Sequence, residues 1–256
     1  MSKMLDKIVE KTKIRIKNSR KYSKDDINQG DISYDFPFEK ALKEKPIAII
    51  SEVKKASPSK GLIAEDFDYI AIAKEYENAG VSAISVLTEP DFFKGSPEYL
   101  KQIAEVVDVP ILRKDFIIDS SMIYEAKLIG ASAVLLIVAI LSDEQLKQYL
   151  QIAHNLGLSA VVEAHDKDEI ERAIAGGARI IGVNNRNLKD FTVDINNSIN
   201  LKKFVPEDII FISESGIKTP IDVKRLKENN IDGVLIGETL MRSDNKESLI
   251  QELKNG

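Results

Sequence analysis

This sequence predicts an α/β fold, a closed (β/α)8 TIM barrel with an N-terminal helical extension. Two observations carry that prediction. From residue 46 onward, eight short apolar runs alternate with helix-like stretches. That is the pattern of parallel βαβ units, and eight such units fit a barrel. The Gly-x-Gly-x-x-Gly turn usual after the first strand of an open doubly wound sheet is missing, which weakens that alternative.

In chain order, residues 4 to about 20 set Leu5, Ile8, Val9, Thr12 and Ile16 at helical spacing, with Lys and Arg between them. "KYSKDDINQGDISYD" reads as a polar loop and "FPFEKALKE" as a short helix. Residues 1–45 are therefore expected to form a helical extension on a barrel of residues 46–256, the whole being one domain. An amphipathic helix must bury its apolar stripe, so the first 40 or so residues are expected over the barrel mouth. Strands are expected at Ile47–Ile50, Ala83–Leu87, Val109–Leu112, Ala133–Ile137, Ala160–Val162, Ile180–Val183, Ile209–Ile212 and Gly233–Ile236. Stretches such as "YIAIAKEYENAG", "SDEQLKQYLQIAHNLG" and "KDEIERAIAGG" read as the helices between them. Many end in Gly or Asn, as helix C-termini do.

Composition narrows the function classes. The 256 residues are 43% hydrophobic, enough for a full core. The net charge is −5 and no long block of like charge stands out, so neither nucleic acid nor a membrane is an expected partner. Without cysteine there is no thiolate nucleophile, disulfide or Cys-ligated metal. With His154 and His165 as the only histidines, a His-rich metal site is excluded too, and no metal or cofactor is expected. The longest apolar run, Ala133 to Leu141, is too short to span a bilayer. The N-terminus is charged throughout, without a signal-peptide apolar region, so a cytoplasmic location is expected.

Barrel enzymes carry their chemistry at the C-terminal ends of the strands. Strand 1 leads into "ISEVKKASPSKG", with Glu52 and Lys54 two apart on one face. Strand 3 leads into "ILRKDF" with Lys114, strand 5 into "VVEAHD" with Glu163, and strand 6 into "GVNNRNL" with Asn184 and Arg186. Strand 7 leads into "FISESGI" with Glu214, Ser215 and Gly216; strand 8 leads into "LIGETLM" with Gly237 and Glu238. Strand 4 stays apolar to its end and would supply a hydrophobic wall. Each charged residue alone reads as a solvated loop residue. Converging on one mouth, lysines beside carboxylates can have tuned pKa values and act as acid and base. The glycines after strands 7 and 8 stand where this fold commonly binds phosphate through backbone N–H groups. His165, one residue past a strand, is expected to turn away from Glu163 and reads as a loop residue. His154, in a helix, reads as structural or exposed.

These stretches, with "ISVLTEPDFFKGS", "PILRKDFIID" and "AVLLIVAIL", resemble the indole-3-glycerol-phosphate synthase family in order and over essentially the whole barrel. The combination of E-x-K-x-x-S-P-S, R-K-D-F and N-x-R-x-L is specific. The resemblance implies a carboxy-lyase of tryptophan biosynthesis that needs neither cofactor nor metal. Its substrate would be the phosphorylated, anionic 1-(2-carboxyphenylamino)-1-deoxyribulose 5-phosphate. It further implies Lys114 as general acid, Glu163 as acid/base partner in dehydration, Lys54 as the anion-binding lysine and Glu52 as its orienting group. Asn184 and Arg186 would position substrate, with Glu214 and Ser215 completing the polar site. Ser57 and the backbone of Gly216, Gly237 and Glu238 would hold the phosphate. Phe93, Leu135, Ile137, Leu188, Leu235 and Ile236 would form the wall for the aromatic ring. Lys55 stands where arginine is frequent in the family, and Glu238 where serine is also seen; a backbone contact survives the second change. A monomer is expected, with other pathway enzymes as conceivable partners.

Two rivals are weighed against this reading. Phosphoribosylanthranilate isomerases share the barrel, but look to a cysteine at the end of strand 1, which this chain lacks. A non-catalytic barrel binding a phosphorylated metabolite would need no Lys–Glu acid/base pair.

Overall fold

In a computed structural model that describes residues 3–44, 46–187 and 190–256, eight parallel strands close into a barrel. They are β1 (Ala48–Val53), β2 (Ala83–Leu87), β3 (Ile111–Lys114), β4 (Ala133–Ile137), β5 (Ser159–Ala164), β6 (Ile180–Asn184), β7 (Ile210–Glu214) and β8 (Gly233–Ile236). Their order round the barrel is their order in the chain, with β8 returning to pair with β1.

Alternation along the strands sorts the side chains into two apolar layers. Ala48, Ile50, Leu112, Leu135, Val161, Ile180, Ile212 and Leu235 point into the barrel and pack there. Ile49, Ile84, Ile111, Val134, Val162, Ile181, Phe211 and Val234 point outward against the helices. The same parity carries Glu52, Lys114, Glu163, Asn184 and Glu214 to the inner face at the strands' last turns. Several strands outrun their apolar runs. Glu52 pairs in register with Ser85, Leu87 with Lys114, Ile137 with Glu163 and Asn184 with Glu214. The polar residues of the mouth thus sit within the ladder rather than in loops after it, because backbone pairing continues where the hydrophobic pattern stops.

The outer helices are α3 (Tyr69–Asn78), α4 (Pro97–Ala104), α5 (Ser121–Leu128), α6 (Asp143–Asn155), α7 (Lys167–Gly176), α8 (Asn196–Lys202), α9 (Pro220–Glu228), α10 (Glu238–Met241) and α11 (Lys246–Lys254). Local chemistry sets their ends. Ser142 and Thr219 form capping boxes with Gln145 and Asp222, and Gly177 closes α7 with φ of 92°.

The N-terminal segment divides between the two ends of the barrel. Helix α1 (Lys3–Asn18) lies at the mouth, tied there by Arg15 to Asp115 just past β3 (2.8 Å). Asp115 also accepts from Thr88 (2.7 Å) and pairs with Arg113 (3.2 Å), and its side chain is fully buried. Burial alone would raise its pKa, yet Arg113 and Arg15 hold it below the usual carboxylate range. Helix α2 (Pro37–Lys43) lies at the opposite end, so the expectation that the first 40 or so residues lie over the mouth is corrected at its last few residues. Phe38 and Leu42 plug the barrel from below, at 0% and 1% exposure. Glu39 locks them there through Ser159 (3.1 Å) and Arg179 (2.7 Å). Among the described residues no helix is long and apolar enough to cross a membrane.

Candidate active site

A cavity of about 970 Å³ opens at the C-terminal ends of the strands. Its lining includes Glu52, Lys54, Ser57, Phe93, Lys114, Leu135, Ile137, Glu163, Asn184, Arg186, Glu214, Ser215, Gly216, Leu235, Ile236, Gly237 and Glu238. Every expected site residue is therefore on one cavity except Leu188, which lies outside the described residues.

Two ammonium–carboxylate clusters occupy the floor. Lys54 Nζ bonds Glu52 Oε1 at 2.5 Å. Lys114 Nζ bonds Glu214 Oε2 and lies 3.4 Å from Glu163 Oε2. Burial would lower the Lys114 pKa, but the charges of Glu214, Glu163 and Glu52 outweigh it and raise the ammonium above the ordinary lysine value. Burial also dominates at Glu214 and pushes its carboxyl up. Lys114 pulls the other way, while Glu163 and Glu52 reinforce the rise. Both directions follow from one imbalance: three inward carboxylates share two ammoniums, so a lysine proton is held tightly while a carboxylate proton is tolerated.

Two glycines make this crowding possible. A Cβ on Gly182 would lie 2.3 Å from Glu214 Oε1, and one on Gly237 would lie 2.2 Å from Glu52 Oε1 and 2.8 Å from Lys54 Nζ. Gly237 is thus required by the Glu52–Lys54 pair, beside any role of its backbone toward an anion. After β7, Ser215 and Gly216 both take positive φ, 69° and 87°. The buried amide of Asn185 fixes that turn, donating to Ser213 Oγ (2.9 Å) and Ser215 O (3.0 Å) while accepting from Ser198 N and Oγ.

Several participants escape the sequence reading. Leu5 and Ile8 of α1, from the stripe expected over the mouth, reach the cavity itself, a contact their spacing alone does not assign. Phe116 lines the same wall, its ring 5.9 Å from that of Phe93. The Glu238 carboxylate turns to Arg242 (3.2 Å) and Lys60 (3.5 Å). Asn185 looks no different in sequence from Asn184; only the end of β6 separates the inward residue from the buried hub. His165 stands apart from expectation most clearly. Strand β5 continues to Ala164, so His165 shares the parity of Glu163, and its Nε2 lies 3.4 Å from Glu163 Oε1. The expectation that it turns away from Glu163 is corrected. His154 packs its ring edge-on to Phe36 at the opposite end of the barrel.

The fold and the paired lysines and carboxylates define a (β/α)8-barrel enzyme with acid–base groups at its mouth. The chain belongs to the indole-3-glycerol phosphate synthase family, whose model matches residues 5–253. An indole-3-glycerol phosphate synthase of Ruminiclostridium cellulolyticum is 54% identical over 98% of both chains. One of Leuconostoc mesenteroides is 57% identical over 87% of this chain and 86% of its own. Among solved structures, a 3-hexulose-6-phosphate synthase superposes with a TM-score of 0.66 at 13% identity, over 81% of this chain and 98% of its own. At that identity the likeness concerns the barrel alone.

Proposed function

We propose that this protein is a carboxy-lyase of tryptophan biosynthesis. It converts 1-(2-carboxyphenylamino)-1-deoxyribulose 5-phosphate to indole-3-glycerol phosphate, carbon dioxide and water. The observation that carries the reading is Lys114, protonated and buried between Glu163 and Glu214, with its Nζ on the cavity floor.

The chemistry follows from that placement. The aryl carbon bearing the carboxylate attacks the ketone carbon, and the carbonyl electrons move to oxygen. An alkoxide is a far stronger base than an amine, so even a lysine with a raised pKa transfers its proton to it readily. Loss of carbon dioxide returns the bonding electrons to the ring. The new hydroxyl then leaves as water, which needs a proton for the oxygen and a base for the departing ring proton. Lys114, reprotonated from solvent after the ring closes, supplies the first kind of group and Glu163 the second. Lys54, aligned by Glu52, neutralises a substrate anion, and Asn184 and Arg186 place the substrate, with Ser215 and Glu214 completing the polar floor. Ser57 and the N–H groups of Gly216, Gly237 and Glu238 cradle the phosphate at the β7 and β8 turns. Phe93, Leu135, Ile137, Leu235 and Ile236 flank the aromatic ring, with Leu188 assigned to the same wall. Leu5 and Ile8 of α1 help close the site. The enzyme works as a cytoplasmic monomer.

The test is incubation with that substrate. Indole absorbance and carbon dioxide should appear in equal amounts. A folded protein that binds the substrate without releasing carbon dioxide would leave only the non-catalytic barrel.

A further inference from the structure

Glu163 has two carboxylate oxygens, and the proposed chemistry uses only the side that faces Lys114. Its Oε2 lies 3.4 Å from Lys114 Nζ. Its Oε1 faces the other way, toward His165 Nε2, also at 3.4 Å. The imidazole is not free to choose this pose. Its Nδ1 lies 3.0 Å from Glu169 Oε2 on α7, and the His165 backbone N–H donates to the same oxygen at 2.8 Å. An ionised carboxylate can only accept, so the ring serves both neighbours only as an imidazolium, with Nδ1–H toward Glu169 and Nε2–H toward Glu163. Nε2 is buried and, among the described residues, makes no hydrogen bond. His165 is absent from the cavity lining.

We propose that His165 is a positioning residue for Glu163, clamped by Glu169 so that Nε2 backs the carboxylate and keeps its other oxygen turned toward Lys114. This rests on the role of Glu163 in dehydration given above. Without His165, Oε1 would have no nitrogen behind it, and the carboxylate could swing to chelate Lys114 with both oxygens. That would cost it the geometry of a base. The 3.4 Å separation suits a resting site, because catalytic contacts are often long before the substrate is bound and tighten afterwards. The charged groups facing the ring are Glu163 on β5, Glu169 on α7 and Glu214 on β7, with Lys114 beyond Glu163. Burial pulls the His165 pKa down, yet the Glu169 hydrogen bond and these three carboxylates raise it above its ordinary value. An imidazolium here would offset the surplus negative charge of the floor.

The test uses the full-length enzyme and three variants. His165→Gln should lower kcat by about ten- to a hundredfold, the range that a small misplacement of a catalytic group produces, with KM little changed. Glu169→Gln, which can still accept from Nδ1, should lose less. Glu163→Gln is the control for the underlying reading and should itself be nearly inactive. With two histidines in the chain, NMR can follow both imidazoles, and the His165 pKa should fall in Glu163→Gln. An active Glu163→Gln would overturn the role given to Glu163, and the inference with it. An inactive Glu163→Gln beside a His165→Gln with normal kcat, or a His165 titration unmoved by Glu163→Gln, would overturn the inference alone.

Discussion

At the N-terminal end of the strands, Phe38 and Leu42 fill the barrel from α2; at the C-terminal end, Lys114, Glu163 and Glu214 occupy the equivalent space. Both ends are well buried, yet they obey opposite rules. The lower end gains stability from apolar area removed from water. The upper end desolvates charges whose mutual attraction offsets that cost only in part, which makes such a cluster weak evidence for stability. A fold would keep it for what it does. The two histidines make the same contrast. His154, at the lower end, is held by burial first and the Arg179 charge second at a pKa of about 4, whereas His165, ringed by carboxylates at the upper end, is raised.

The sharpest test of that contrast is a pair of truncations, one at each end. Lys114→Ala should lower kcat by about 10²–10⁴-fold, the usual effect of removing a general acid, while the protein still folds and binds substrate. Phe38→Ala should do the converse. It should cost about 3–5 kcal/mol of stability in a denaturant titration, while the folded fraction keeps its KM. If Phe38→Ala lost activity per folded molecule, the ends would not be separable.

A smaller effect is expected from Gly237→Val. Its side chain would collide with Glu52 and Lys54, so KM should rise more than kcat falls. An unchanged KM in a folded variant would move the anion site away from β8.

The pH dependence of stability should separate the ends most finely. His154 binds its proton in the unfolded chain near pH 6.5 but in the folded one only near 4. Stability is therefore lost as pH falls from 6.5 toward 4, and His154→Gln should remove that part of the loss. His165 has the opposite sign. Its contribution is fully present below pH 6.5 and is lost as pH rises through the raised folded value. Urea titrations of both single variants across this range should show slopes of opposite sign, and parallel slopes would refute the contrast.

Much of the barrel is legible in the sequence, because alternating apolar runs and capped helices follow from local rules that need no knowledge of the rest of the fold. The inward set is legible for the same reason: Glu52 and Lys54 announce their shared face by spacing alone. What local rules miss is set by contacts distant in sequence. Helix α2 reads only as a short helix, and Ser159 and Arg179, more than a hundred residues on, decide that it sits below the barrel. His165 stands two residues after Glu163, the spacing that puts Glu52 and Lys54 on one face, and the expectation that alternation turns it away misapplies that rule; the ladder runs on to Ala164, where β6 pairs with it. Asn185 and Asn184 are indistinguishable until the partners of Asn185 on β7 and α8 are known.

The proposed chemistry requires Lys114 to give up a proton rather than merely supply charge, and a single-turnover measurement on Lys114→Arg tests that most directly. Arginine keeps the positive charge beside Glu163 and Glu214 but has no proton to transfer near neutral pH. With substrate bound to the variant, the single-turnover rate should fall by at least about 100-fold, close to that of Lys114→Ala. A rate near that of the unaltered enzyme would contradict it, making Lys114 an electrostatic clamp and moving the acid to Lys54 or a water.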